Sequence, residues 1–145
     1  MRPKTILVGM NNPLSDDPRA ALWPDPPGCA GHRLWMLLHA RTKCSPATYV
    51  HGFVRMNLVL AREFDPRAAR AAADEFVRQH AGRRVVVLGA AVRTAFRLPP
   101  VLVEPVESRG ITFRQLPHPS GRCRWYNDPK HRAVAGMLLE EELRR

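Results

Sequence analysis

Three polar side chains stand where hydrolytic chemistry could use them. His118 lies in Leu116-Pro117-His118-Pro119-Ser120-Gly121-Arg122, Asn11 in Gly9-Met10-Asn11-Asn12-Pro13, and Asn57 inside the run Phe53-Val54-Arg55-Met56-Asn57-Leu58-Val59. Releasing a nucleobase from its sugar leaves positive charge on the sugar and negative charge on the departing base. A catalyst of that step needs a donor aimed at a base oxygen, a placed water and an oriented base. The His118 imidazole is such a donor, and its neutral form suffices. The side-chain carbonyl of Asn11 can hold a water, and the Asn57 amide offers donor and acceptor together to the edge of a flipped base. Each residue also has a plainer role open to it. A His before Pro119 reads as a loop residue with a satisfied ring, and Asn11 and Asn12 between Gly9 and Pro13 read as turn formers. Asn57 is an amide in an apolar strand, so it must find partners in a neighbouring loop or in a ligand.

The elements that carry these residues follow from the hydrophobic pattern. Thr5 to Val8 is a short apolar run closed by Gly9 and reads as a buried strand. Residues 10–27 hold Pro13, Pro18, Pro24, Pro26 and Pro27 and read as a long irregular loop. Gly28 to Arg41 carries Leu34, Leu37 and Leu38 at helical spacing. A second strand is expected over 53–59, and a helix over 66–80 with Asp65 as cap and Pro66 at its first position. Arg84 to Leu88 reads as a third strand closed by Gly89, followed by a short helix from Ala90 to Phe96 that Pro99 and Pro100 break. Val101 to Val103 and Ile111 to Gln115 read as further strands, and a last helix over 129–144 starts with the Asp128-Pro129 pair. This alternation predicts one domain over 1–145: a three-layer α/β/α sandwich around a central, mostly parallel sheet of four to five strands. Ligands of such sheets bind at the carboxyl ends of the strands, which is where Gly9 to Asn11, Asn57 and the 116–122 loop fall.

Lys and Arg number 23 against 13 Asp and Glu, a formal net charge of +10. That excess favours a polyanionic partner through counterion release, although anionic membranes attract such charge too. No apolar run approaches the ~20 residues that span a bilayer, so no membrane partner is expected and the chain reads as cytoplasmic and nucleoid-associated. No obligatory protein partner is evident. Cys29, Cys44 and Cys123 are odd in number and form no C-x-x-C pair, so neither a disulfide framework nor a metal site is expected. Trp125 and Tyr126 read as core anchors of the last helix, His32, Arg33 and Arg41 as helix surface, and Glu140 to Glu142 as a solvated helix end.

Four of these segments together resemble the uracil-DNA glycosylase superfamily, over nearly the whole chain. Gly9-Met10-Asn11 is similar to the first motif of its single-strand-selective monofunctional and mismatch-specific uracil glycosylases, which use Asn there to position water where other members use Asp. Met56-Asn57-Leu58-Val59 is similar to the strand whose Asn reads the base. Val85 to Gly89 resembles the apolar strand ahead of the second motif, and His118-Pro119-Ser120-Gly121-Arg122 resembles the intercalation loop. The resemblance implies that Asn11 and His118 are catalytic and that Gly9, Met10, Asn12 and Asn57 bind the base. It implies that Ser120, Gly121, Arg122 and Arg124 contact DNA, with Arg122, four past His118, as the wedge. The extra residue before Pro13 leaves open whether Asn11, Asn12 or the Asp16-Asp17 pair positions the water. No Phe or Tyr stands where the family stacks a ring on the base, so Trp23 is the candidate substitute, or the pocket is wider and suits a modified base. Some relatives hold a four-Cys iron–sulfur cluster that three cysteines cannot supply, and no cofactor is expected. The implied activity is flipping of a nucleotide and hydrolysis of the N-glycosidic bond of uracil or a modified pyrimidine, in repair or in defence against modified foreign DNA. The alternatives are a catalytically weak nucleic-acid-binding module of the same fold and a hydrolase of free nucleotides.

Overall fold

The computed structural model describes residues 2–12, 14, 15 and 17–145. Five strands, β1 (Ile6–Gly9), β2 (Val54–Asn57), β3 (Arg84–Leu88), β4 (Val106–Ser108) and β5 (Ile111–Leu116), form a single sheet in the order β2-β1-β3-β5-β4. The first four in that order run parallel, and β4 is an antiparallel edge. Five helices accompany them: α1 (Ala30–Thr42), α2 (Pro46–Gly52), α3 (Pro66–Gln79), α4 (Ala90–Ala95) and α5 (Pro129–Leu143).

Alternating side chains of the strands divide the core into two layers, as the period of a strand requires. Ile6, Val8, Val85, Val87, Ile111 and Phe113 pack against Ala69, Ala73 and Phe76 of α3 and Val92 and Phe96 of the α4 region. Leu7, Val86, Leu88 and Leu116 pack against Leu34 and Leu38 of α1, Tyr49 of α2 and Leu138 and Leu139 of α5. Both sheet faces are therefore covered, and the architecture is the expected α/β/α sandwich. Asp65 and Asp128 cap α3 and α5 by accepting from the backbone N–H two residues on, with proline at the first helical position of each.

Two local expectations need correction. Residues 101–103 are not a strand: Val101 N–H bonds back to Pro99 O, Glu104 N–H to Leu102 O, and Val103 adopts a φ of +71°. Pro99 and Pro100 supply no donors, so the segment folds into successive tight turns. The fourth strand lies further on, in a hairpin with β5 whose two turn residues, Arg109 and Gly110, both have positive φ (+51° and +82°). The α2 helix was also absent from the sequence expectation, although Ser45-Pro46 is a cap followed by proline at the first helical position.

Glu142 is a third correction. It is 2% exposed, not solvated. Arg84 donates to both its oxygens at 2.9 Å, Thr5 donates to Oε1 at 2.9 Å and Arg114 to Oε2 at 3.1 Å. The last turn of α5 is thereby tied to β1, β3 and β5. Burial raises the Glu142 carboxyl pKa, but the hydrogen bonds from Arg84, Thr5 and Arg114 outweigh it and hold the value below the ordinary one.

Stability from a carboxylate whose folded pKa is depressed is fully present above its unfolded value and is lost as pH falls through the folded one. Glu142→Gln removes the charge that compensates Arg84 and leaves Arg114 only Glu141, at 2.8 Å, so we expect a loss of about 3 kcal/mol, roughly 10 °C in Tm. Thermal melts from pH 7 down to 3 check this. The wild type should lose stability below the 4.5 of an ordinary glutamate, and the variant should show a shallower acid dependence. Equal melts at pH 7 would assign Glu142 no structural role.

Candidate active site

The carboxyl edge of the sheet gathers the residues singled out by their chemistry. Gly9 pairs with Asn57, Val8 with Val87, and Leu88 with Leu116. Continuing that register by one residue aligns Asn57, Gly9, Leu88 and Leu116 in a row across the sheet. Asn11 stands two residues past this row on β1, and His118 two past it on β5. At about 4.8 Å per strand step, β1 and β5 are roughly 10 Å apart and β2 and β5 roughly 14 Å. The strand order reverses at β1, which lies between β2 and β3, and ligands of such sheets bind outside the strand ends at that point.

The backbone explains how Asn57 comes to be there. The missing Cβ of Gly9 makes room: a Cβ at that position would lie 2.7 Å from Asn57 Oδ1 and 3.1 Å from a Leu22 methyl. Pairing with β1 continues past the strand, with Leu58 N–H bonded to Gly9 O and Val59 N–H to Met10 O. Asn57 is 8% exposed, and its amide makes no hydrogen bond to any described residue. An amide left so at the end of an edge strand has its donor and acceptor capacity to spend on a ligand or on solvent.

Asn11 and Asn12 are separated by their hydrogen bonds. The Asn11 amide nitrogen donates to Arg62 O at 2.7 Å and Ala61 O at 3.3 Å, in the segment after β2. Two carbonyls can only accept, so nitrogen must face them and Oδ1 is turned away, with no donor to it among the described residues. Asn12 Oδ1 accepts from Leu14 N–H at 2.9 Å, which makes Asn12 a turn former. Asp17 caps a short 3-10 turn (Pro18–Ala20) and pairs with Arg19 at 3.1 Å, while Asp16 lies outside the described residues.

His118 is half-buried, and its Nδ1 is enclosed without a partner. Burial pushes its pKa below the ordinary 6.5, because a second ring proton would add charge away from water. The imidazole is therefore neutral at pH 7. Its loop is positioned by two contacts that the sequence reading did not single out as functional. Tyr126 donates its hydroxyl to Pro117 O at 2.6 Å, and Gly89 lies directly beneath the ring's stem. Gly89 has φ +99°, and an added Cβ would sit 3.1 Å from His118 Cβ. The signal for Gly89 was a glycine closing an apolar strand; what it closes against depends on β5.

The remaining candidates scatter. Met10 packs on the α3–α4 side of the core. Trp23 is 43% exposed with the Arg55 guanidinium 5.1 Å from its ring centroid, so one part of the ring is already engaged. Ser120 turns the loop by donating its N–H to His118 O at 2.8 Å. Gly121, Arg122 and Arg124 are exposed, and neither arginine has an ion-pair or hydrogen-bond partner among the described residues. Trp125 and Tyr126 pack on the α1–α5 side of the core, with Trp125 stacked on His131 at 4.4 Å, as expected for anchors of α5. Cys29, Cys44 and Cys123 are free thiols, and among the described residues no group of three His, Cys, Asp or Glu side chains could hold a metal ion. No helix there is long and apolar enough to cross a membrane. No protein-family model matches the chain, and no curated protein matches it.

Gly89→Ala should move His118. The positive φ alone costs about 1–3 kcal/mol in a residue with a Cβ, and the new methyl would press on the loop. Gly82→Ala is the control, since Gly82 has φ +83° with nothing near its missing Cβ. Both variants should melt earlier, but only Gly89→Ala should shift the His118 ring resonances in an NMR spectrum. Identical His118 resonances in wild type and Gly89→Ala would disprove the contact.

Proposed function

We propose that this protein is a monofunctional DNA glycosylase of the uracil-DNA glycosylase superfamily type, which flips a nucleotide and hydrolyses its N-glycosidic bond. The observation that carries the reading is the Asn57 amide, 8% exposed at the end of β2 and bonded to no described residue, on the same sheet edge as a neutral His118. A pyrimidine between them would offer its edge to the Asn57 amide and an oxygen to the imidazole. The +10 net charge favours a nucleic-acid substrate.

The reaction is dissociative. The bond from C1′ to the base nitrogen breaks and its electron pair leaves with the base. His118, as a neutral donor, stabilises the resulting anion. A water held by Asn11 Oδ1 adds to the sugar cation and gives its proton to solvent. The products are a free base and an abasic site. No lysine occupies the motif positions, so no Schiff base forms on the sugar. Uracil is the first substrate to test, and a bulkier modified pyrimidine of foreign DNA is the second, since no Phe or Tyr closes the pocket. Incubation with DNAs carrying a panel of such bases, followed by detection of abasic sites, tests the activity; absence of abasic sites across the panel would refute it.

His118→Ala should cut single-turnover base release by about 10²–10³-fold with DNA affinity nearly unchanged. Because His118 titrates below its ordinary 6.5, the wild-type rate should stay flat as pH falls from 8 to about 6.5. A rate that falls over that interval would mean that another group limits it. Asn57→Asp replaces a donor–acceptor pair with acceptors alone, so it should change which bases are released. An unaltered profile across the panel would make Asn57 structural.

A further inference from the structure

A groove of about 860 Å³ lies between α1 and α5, outside the row of Asn57, Asn11 and His118. The two helices meet closely at Gly136, where an added Cβ would lie 2.7 Å from Leu37 O and 2.9 Å from Arg41 Cδ. The groove is walled by Met36, Leu37 and Ala40 of α1, by Arg132 and Ala133 of α5, and by the Pro119–Gly121 segment of the His118 loop.

Its charge is one-sided. Arg33, Arg41 and Arg132 line it and no Asp or Glu does. Arg41 is neutralised by Glu140 at 3.2 Å, whereas Arg33 and Arg132 have no carboxylate partner among the described residues. Both are held in place by the backbone instead. Arg33 Nε donates to Gly28 O at 3.0 Å, and Arg132 Nη1 donates to Tyr126 O at 2.8 Å and Asn127 O at 3.1 Å. Their other guanidinium N–H groups are left for an anion, already oriented. The nearby carboxylate of Asp128 is committed to Lys130 N–H at the start of α5 and is not part of the lining. The floor is apolar, and Met36 on it is 45% exposed.

An apolar floor flanked by fixed guanidinium groups gives a base an apolar contact and its phosphate two oriented donors. The volume falls in the range of pockets that enclose a small ligand, which admits a nucleotide and not a duplex. The groove also continues from the loop that follows His118, since Arg33 Nη2 would lie 2.8 Å from a Cβ added to Gly121. We propose that this groove holds one nucleotide of single-stranded DNA flanking the flipped one, its phosphate between Arg33 and Arg132 and its base on Met36, Ala40 and Ala133. The proposal rests on the reading of DNA as substrate.

The test is fluorescence anisotropy with a labelled decathymidylate and a labelled blunt hairpin duplex, over a salt series. The variants are Arg33→Gln with Arg132→Gln, and Ala133→Trp, which fills the groove without removing charge. The double variant should weaken decathymidylate binding about tenfold and reduce the salt slope by about 0.7, the value of one single-strand phosphate contact. Ala133→Trp should weaken the same strand with the salt slope of the wild type. Hairpin affinity should stay within about twofold in both, as for sites that track a single strand. Strand affinity unchanged in both variants, with wild type binding, would overturn the groove alone. Wild type that binds neither DNA would overturn the groove and remove DNA as the partner, and the abasic-site assay reports on the glycosylase reading by itself.

Discussion

Glu142 stands near the end of the last helix, at the opposite edge of the sheet from the catalytic candidates, yet their placement depends on it. Its carboxylate receives hydrogen bonds from Thr5 at the start of the β1 region, Arg84 at the start of β3 and Arg114 within β5. Three parallel strands are thus gathered onto one side chain of α5. A buried ion pair of this kind adds little net stability over an apolar cluster, but it admits only one arrangement of its partners. Helix α5 runs unbroken over 15 residues, so tying down its last turn also constrains where its first turn and the adjoining Trp125–Tyr126 anchor can lie.

At the other edge the structure does the reverse and leaves polar groups unsatisfied. Asn57 has an amide that bonds no described residue, and His118 has an enclosed Nδ1 without a partner among them. Native folds pair nearly all such groups, because an unpaired one costs free energy. The Nε atoms of Arg55, Arg83 and Arg93 are likewise enclosed without a partner among the described residues, so open capacity by itself does not mark a site; at the carboxyl edge it falls on an amide and an imidazole that a ligand could use. Asn11 belongs between these extremes. Its nitrogen is spent on Ala61 and Arg62 carbonyls, and that commitment aims its oxygen outward.

Basic side chains also divide by partner. Arg84 and Arg114 are structural, and Arg55 covers Trp23 and bonds Ala21 O. Arg33 and Arg132 are tethered to backbone carbonyls and form no ion pair among the described residues, and Arg122 and Arg124 extend from the loop without partners among them.

The sequence by itself determined the strands β1, β2, β3 and β5, the helices α1, α3, α4 and α5, and the α/β/α class, because these rest on local periodicity, caps and prolines. It also placed Gly9, Asn11, Asn57 and His118 at strand ends. It could not tell that Asn12 closes the turn while Asn11 reaches the segment after β2, since the difference lies in two carbonyls fifty residues away. It misread Glu142 as solvated, because its partners are three strands distant in the chain, and it put the edge strand at 101–103 because apolar composition there conceals a left-handed Val103. Gly89 read as a strand terminator until β5 brought His118 against it. Short-range patterns encode elements; which polar groups meet, and which are left without a partner, is decided only when strands far apart in sequence are packed side by side.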